Sequence, residues 1–153
     1  MTRRRRRTTT CLAAAGVLAV AGGYWYLTAP RYEVPVPPAD ASPQQVAMAY
    51  MRALDAHDSS TAYALSTPAQ RTETQVWLSE TAGLTHPTTS APVVDTAEAG
   101  LPRGTETVDV AVTFDYQQNW WTDDPSLGDG QTVWGYVLVH EHGRWLIDDC
   151  GTG

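Results

Sequence analysis

The chain has no lysine, and five of its ten arginines form the single run Arg3–Arg7. All seventeen acidic residues lie beyond position 30. The chain after position 30 therefore carries five arginines against seventeen carboxylates, a balance of −12. Because a phosphate backbone is bound by clustered positive charge, this composition excludes nucleic acid as a partner of that part.

Length and cysteine content exclude two further classes. Of the 153 residues, about thirty belong to a targeting segment, which leaves roughly 120 for one small domain rather than a two-domain enzyme. The two cysteines, Cys11 and Cys150, are predicted on opposite sides of a membrane, so no disulfide framework exists. Cys150 is then either a partly buried apolar side chain or the site of an intermolecular disulfide.

The one long apolar run, residues 11–29, contains no charge and has nineteen residues, or about 28 Å as a helix at ~1.5 Å per residue. It predicts a transmembrane anchor. The basic segment 1–10 precedes it, so the positive-inside rule places the N-terminus in the cytoplasm and the C-terminal domain outside the plasma membrane. Tyr24, Trp25 and Tyr26 are then expected at the outer membrane interface.

A cleavable signal peptide is the alternative interpretation of this run. Ala19, Val20 and Ala21, followed by two glycines, fit the small-residue pattern of a cleavage site. The apolar run continues past that point through Tyr24–Leu27 and reaches a full span, which favours the uncleaved anchor. Cleavage after Ala21 is left open.

Residues 30–42 contain Pro30, Pro35, Pro37 and Pro38, which favours an extended polyproline linker. Thirteen such residues at ~3.1 Å each would hold the domain roughly 40 Å from its anchor. We therefore expect a spacer here and a folded domain over residues 43–150.

The first half of that domain has helical patterns. Ser42, Pro43 and Gln45 form a capping box, and apolar residues at steps of three and four predict a helix through about residue 56. Asp58 begins a second, short helix, and a third is expected from Thr67 to a stop at Gly83.

The second half has strand patterns. Residues 105–116 alternate strictly, which predicts a half-buried antiparallel strand, and residues 132–141 and 145–147 form a final hairpin. Residues 85–92 are predicted as a loop, and 92–97 as a candidate first strand. The expected fold class is therefore α+β, with about three helices on a curved antiparallel sheet of three to four strands.

Two segments resemble the nuclear-transport-factor-like superfamily, also called the cystatin-like cone fold. SPQQVAMAYMRALDAHDSSTAYALS is similar to its opening helices, and GYVLVHEHGRWLIDDCG to its last hairpin. The resemblance covers about residues 42–149. It implies a pocket between the long helix and the concave sheet, which enzymes of the superfamily use with a buried Asp or His and a Tyr.

The pocket that the resemblance implies would be lined by Tyr50, Trp77, Tyr116 and Trp134. Further candidates in it are Asp109, Asp115, Tyr136 and His140. They form no recognisable catalytic set: the two aspartates lie on the polar face of their strand, and a histidine at a strand end is more often half-exposed than a base. His140 and His142 lack a third metal ligand, so neither a metal nor a cofactor is expected.

The segment 117–131 has two interpretations. Trp120 and Trp121 beside Asp123 and Asp124 form a contact surface if the indoles are exposed; alternatively, they lie under the sheet edge as additional core. The acidic residues do not follow the order of an EF-hand loop, so calcium is not expected.

Three functions compete. The first is a single-pass, non-enzymatic interaction or assembly module of the cell envelope, with another envelope protein as its partner. The second is a small-ligand binder that uses the cone pocket. The third is an enzyme of the isomerase or cyclase type, which requires an acid or base of displaced pKa inside that pocket. The sequence leaves open whether copies of the chain form a homo-oligomer.

Overall fold

The computed structural model describes residues 30–94, 105–122 and 129–151. In this part of the chain, three helices precede a five-stranded antiparallel sheet, which confirms the α+β class and corrects the expected number of strands. The predicted membrane segment lies outside the described residues, and no described helix is long and apolar enough to cross a membrane. The elements are α1 (Pro43–Ala56), α2 (Ser59–Ala64), α3 (Arg71–Glu80), β1 (Thr81–Thr89), β2 (Val93–Val94), β3 (Thr107–Gln118), β4 (Gly130–Glu141) and β5 (Arg144–Gly151).

The predicted capping box of the first helix and the predicted start of the second helix at Asp58 are confirmed. Ser42 and Gln45 form the capping box of α1, and Pro43 occupies its first turn. The helix ends at His57, whose backbone is left-handed at φ 55°. Asp58 then caps α2 by accepting a hydrogen bond from the Thr61 N–H.

The third helix is shorter than expected at both ends. Residues 68–70 form a turn, and α3 begins at Arg71 without a side-chain cap at Gln70. It ends at Glu80, because Thr81 is already extended and begins β1.

The strand order is β1-β3-β4-β5. The short strand β2 pairs with β3 near the start of β3, past the part of β3 that pairs with β1. The final hairpin is confirmed. The loop predicted over residues 85–92 was wrong, since β1 extends to Thr89. The irregular pairing between Thr85 and Thr88 contains His86 at φ 53°. Such bulges bend a sheet, and they also interrupt the alternation that identifies a strand in a sequence.

The prediction of a 40 Å spacer was wrong for residues 31–41, which we call the strap. Arg31 donates hydrogen bonds from its backbone to the Ala56 carbonyl (2.6 Å) and from its guanidinium to the carbonyls of Asp55 (3.0 Å) and Ala82 (2.7 Å). Val34 is buried, and its N–H donates to Asp58 Oδ2 (3.2 Å). Proline has no backbone N–H, so a proline-rich segment has few donors that need an acceptor. The contacts of Arg31 and Val34 are therefore enough to hold the strap against α1.

The two ends of the sheet are distinct. We call one end the entry end, because the chain arrives there at Arg31; α1 ends, β1 begins and β3 ends at this end. Thr81 lies opposite Gln118 in the sheet, and His57 Nε2 lies 3.1 Å from the Thr81 carbonyl oxygen. The far end contains β2 and the turn between β4 and β5.

Candidate functional site

The aromatic side chains expected to line a pocket are packed against one another. The ring of Trp77 lies edge-to-face at 5.7 Å from Tyr116 and 5.3 Å from Trp134, while Tyr50 contacts Tyr136 instead, at 5.7 Å. Trp77 is 4% exposed, and the three tyrosines are more deeply buried. These side chains occupy the space between α1 and the sheet in which the resemblance implied a cavity.

Two of the phenols in this core, those of Tyr50 and Tyr136, are hydrogen-bonded and neutral. Tyr50 Oη lies 2.9 Å from Thr74 Oγ1, and the Tyr136 hydroxyl donates to Met51 Sδ at 3.0 Å. Burial raises the pKa of both phenols well above their ordinary value. Neither group is therefore available as a base near neutral pH.

Cys150 packs partly buried beside this core, which matches the first of its two predicted interpretations. Its thiol is half-buried and accepts a hydrogen bond from Gln70 Nε2 at 3.1 Å. The indole N–H groups of Trp77 and Trp134 lie near the sulfur and act to lower the pKa of Cys150 by stabilising its thiolate form. Neither N–H reaches hydrogen-bond geometry with an acceptor in the described chain. Burial outweighs these donors and raises the pKa of the Cys150 thiol, so the sulfur is a weak nucleophile at neutral pH.

The acid and base candidates lie outside the core. Asp115 Oδ2 is 2.9 Å from Nδ1 of His86; the histidine side chain is strongly exposed and the aspartate side chain is half-exposed. His140 is also exposed, and the centroid of its ring lies 5.0 Å from that of Trp145, with the two rings tilted by 48°. Asp109 lies on the same outer face of β3 as Asp115. No described residues form a group of three or more metal-ligating side chains.

Trp120 and Trp121 project from the turn after β3. They are 90% and 56% exposed, with their rings edge-to-face at 5.5 Å. Asn119 fixes the turn: its backbone N–H donates to the Glu80 carbonyl (2.8 Å), and its side-chain amide donates to the carbonyls of Ser79 (2.8 Å) and Thr81 (3.2 Å). This geometry matches the interpretation of Trp120 and Trp121 as an exposed surface, and not the alternative that they lie under the sheet edge as additional core. The neighbouring Asp123 and Asp124 lie outside the described residues.

A groove of about 560 Å³ runs between the strap and α1. Its lining is mainly apolar, and Arg52 is the only charged residue among the described residues that line it. The sequence could not indicate this groove, because one of its walls is the strap that was expected to be free. The lining residues are Val34, Pro35, Val36, Pro37, Pro38, Ala41, Gln44, Gln45, Met48, Ala49, Arg52 and Thr89.

Comparison of the chain with known proteins finds no significant match to a family model, to a curated protein or to a solved structure.

Proposed function

We propose that the chain is a single-pass plasma-membrane protein whose extracytoplasmic domain acts by binding another envelope protein rather than by catalysis. Residues 1–10 are the cytoplasmic segment and residues 11–29 the anchor. Support for this topology comes from the uncharged nineteen-residue run and the arginines that precede it, because such a run spans a bilayer with its basic flank inside.

We also propose that the domain belongs to the cone-fold superfamily. The order of its elements, three helices and then an antiparallel sheet, supports this, as does the packing of α1 against the sheet through Tyr50 and Tyr136. The proposal concerns the fold, since proteins of one fold have many unrelated functions.

A binding role is favoured over catalysis by what fills the interior. An isomerase or cyclase needs an acid or base in an apolar cavity. Here the corresponding volume is occupied by aromatic rings, while Asp115 is half-exposed and His140 is exposed. The same packing disfavours the small-ligand alternative at this position.

The groove beside the strap is the observation that carries the proposal. The domain carries a strong negative charge, yet the described residues that line this apolar concavity include one arginine and no carboxylate. Its volume of about 560 Å³ lies in the range of binding clefts, which combine apolar walls with few polar groups. We therefore expect the partner to insert an apolar segment with a carboxylate that pairs with Arg52.

Crosslinking in cells tests this assignment with the full-length chain. A photoreactive amino acid at Met48, in the groove, is expected to form an adduct of one defined mass with an envelope protein. Arg52→Glu should abolish the adduct, because it places a second carboxylate against that of the partner. Arg71→Glu, a matched change at an exposed arginine of α3, should leave it intact. An adduct that survives Arg52→Glu, or the absence of any adduct, would contradict the groove as the binding site.

A further inference from the structure

We propose that Trp120 and Trp121 insert into the outer interface of the membrane that holds the anchor, so that the domain lies on the bilayer in a fixed orientation. This inference rests on the proposed single-pass topology. In this proposal, the two exposed indoles contact lipid rather than the protein partner.

The strap places the domain close to the membrane. The predicted span ends at residue 29, and Arg31 is already attached to the carbonyls of Asp55, Ala56 and Ala82. Only Pro30 separates the span from this attachment. The domain therefore begins at the membrane surface instead of about 40 Å away, the reach of a free polyproline linker of this length.

The tryptophan pair lies at the same end of the domain as this attachment. Arg31 donates to the Ala82 carbonyl, and the adjacent Thr81 carbonyl accepts from Asn119, which directly precedes Trp120. Two hydrogen bonds thus connect the point of chain entry to the turn that presents the indoles. The exposed ring of Tyr32 belongs to the same end, since its hydroxyl donates to Asp55 Oδ2 at 2.8 Å.

The chemistry of these side chains suits a headgroup layer. Tryptophan and tyrosine are enriched at membrane interfaces because their rings are apolar and their N–H or O–H groups find polar partners there. Adjacent indoles that are 90% and 56% exposed would otherwise leave a large apolar area in water. Tyr24, Trp25 and Tyr26 are predicted at the same level, at the outer end of the span.

Electrostatic attraction does not explain membrane contact in this protein. The chain beyond residue 30 has a balance of −12, so charge alone would repel the domain from a surface of anionic lipid headgroups. Contact must come from the anchor and the neutral indoles. It should consequently persist at high salt, which screens charge but not apolar insertion.

Quenching by brominated lipids tests the inference with the full-length chain in vesicles of phosphatidylcholine and phosphatidylglycerol. The background substitution Trp25→Phe removes the indole of the predicted anchor. We expect lipids brominated near the headgroup to quench part of the remaining tryptophan emission, at low and high salt alike. Trp120→Phe together with Trp121→Phe should abolish most of this quenching. Trp145→Phe, at the far end of the sheet, is the matched control and should leave it unchanged.

The outcomes separate this inference from the topology on which it rests. Flotation of the same vesicles after alkaline carbonate treatment reports the anchor independently of the indoles. A chain that fails to float would overturn both the anchor and the insertion. A chain that floats, but whose quenching is equal with and without Trp120 and Trp121, would overturn the insertion alone. Quenching that disappears at high salt would also contradict insertion.

Discussion

Removal of the Asp58 carboxylate should weaken the attachment of the strap to the helices. The side chain is buried and accepts hydrogen bonds from the Ser60 hydroxyl (2.7 Å), the Thr61 N–H (3.1 Å) and the Val34 N–H (3.2 Å). Asp58→Ala eliminates a helix N-cap, at a cost of about 1 kcal/mol. It also leaves the Val34 N–H buried without its acceptor, at a further cost of about 1–3 kcal/mol.

The expected loss in the free energy of unfolding is therefore about 2–4 kcal/mol, which lowers Tm by roughly 8–16 °C for a domain of this size. Thermal unfolding of the full-length protein in detergent, followed by tryptophan fluorescence, measures it. Asp40→Ala, which removes an exposed carboxylate from the strap, is the control and should change stability by less than about 0.5 kcal/mol. Equal Tm values for the two variants would refute this account of the strap.

The pH dependence provides a second readout of the same carboxylate. Burial raises the pKa of Asp58, but the hydrogen bonds from Ser60, Thr61 and Val34 together outweigh it, so the net pKa is lowered. A lowered folded-state pKa means that the stabilisation is complete above the ordinary carboxyl pKa and is lost as the pH falls through the lowered value. Asp58→Ala should be less sensitive to acid in that window than the wild-type protein.

Three further predictions concern single positions. Burial lowers the pKa of His57, so the free energy of unfolding should fall as the pH drops below the ordinary histidine value of 6.5. Asparagine tolerates the left-handed backbone at this position, so His57→Asn should weaken this fall, as urea denaturation can measure. An unchanged pH profile in the variant would contradict this role of His57. In a Cys11→Ser background, burial should make alkylation of Cys150 by iodoacetamide slow until the protein unfolds; equal rates in the folded and unfolded states would show an accessible thiol instead. Gly143 has φ 78°, so Gly143→Ala should cost about 1–2 kcal/mol, whereas Gly151→Ala should cost less, as calorimetry can determine.

Local signals in the sequence predicted the elements that depend on local interactions. The capping box at Ser42 and Gln45 fixes the start of α1, and the strict alternation over β3 identifies its buried face. The turn between β4 and β5 was likewise predictable. Its two central residues, His142 and Gly143, both have positive φ, as a type I′ hairpin turn requires.

Features that depend on distant partners could not be predicted in this way. The proline pattern of the strap is the same whether it is free or docked, and its docking depends on acceptors at Asp55 and Asp58, more than twenty residues away. The cluster around Cys150 is another example, because it joins Gln70 to a thiol eighty residues later. The volume of a pocket cannot be predicted from the sequence either. Periodicity indicates that Trp77 is buried, but not that its ring fills the space in which the resemblance implied a cavity.

Cysteine labelling in intact cells is the sharpest test of the claim that an acidic domain is tethered to the outer face of a membrane. In a background that lacks Cys11 and Cys150, one variant carries Val93→Cys, at an exposed position of β2, and another carries Thr8→Cys in the basic segment. A membrane-impermeant maleimide should label position 93 in intact cells and position 8 only after lysis, with both proteins recovered in the membrane fraction. Labelling of position 8 alone, protection of both positions until lysis, or recovery of the chain from the soluble cytosol would contradict the claim.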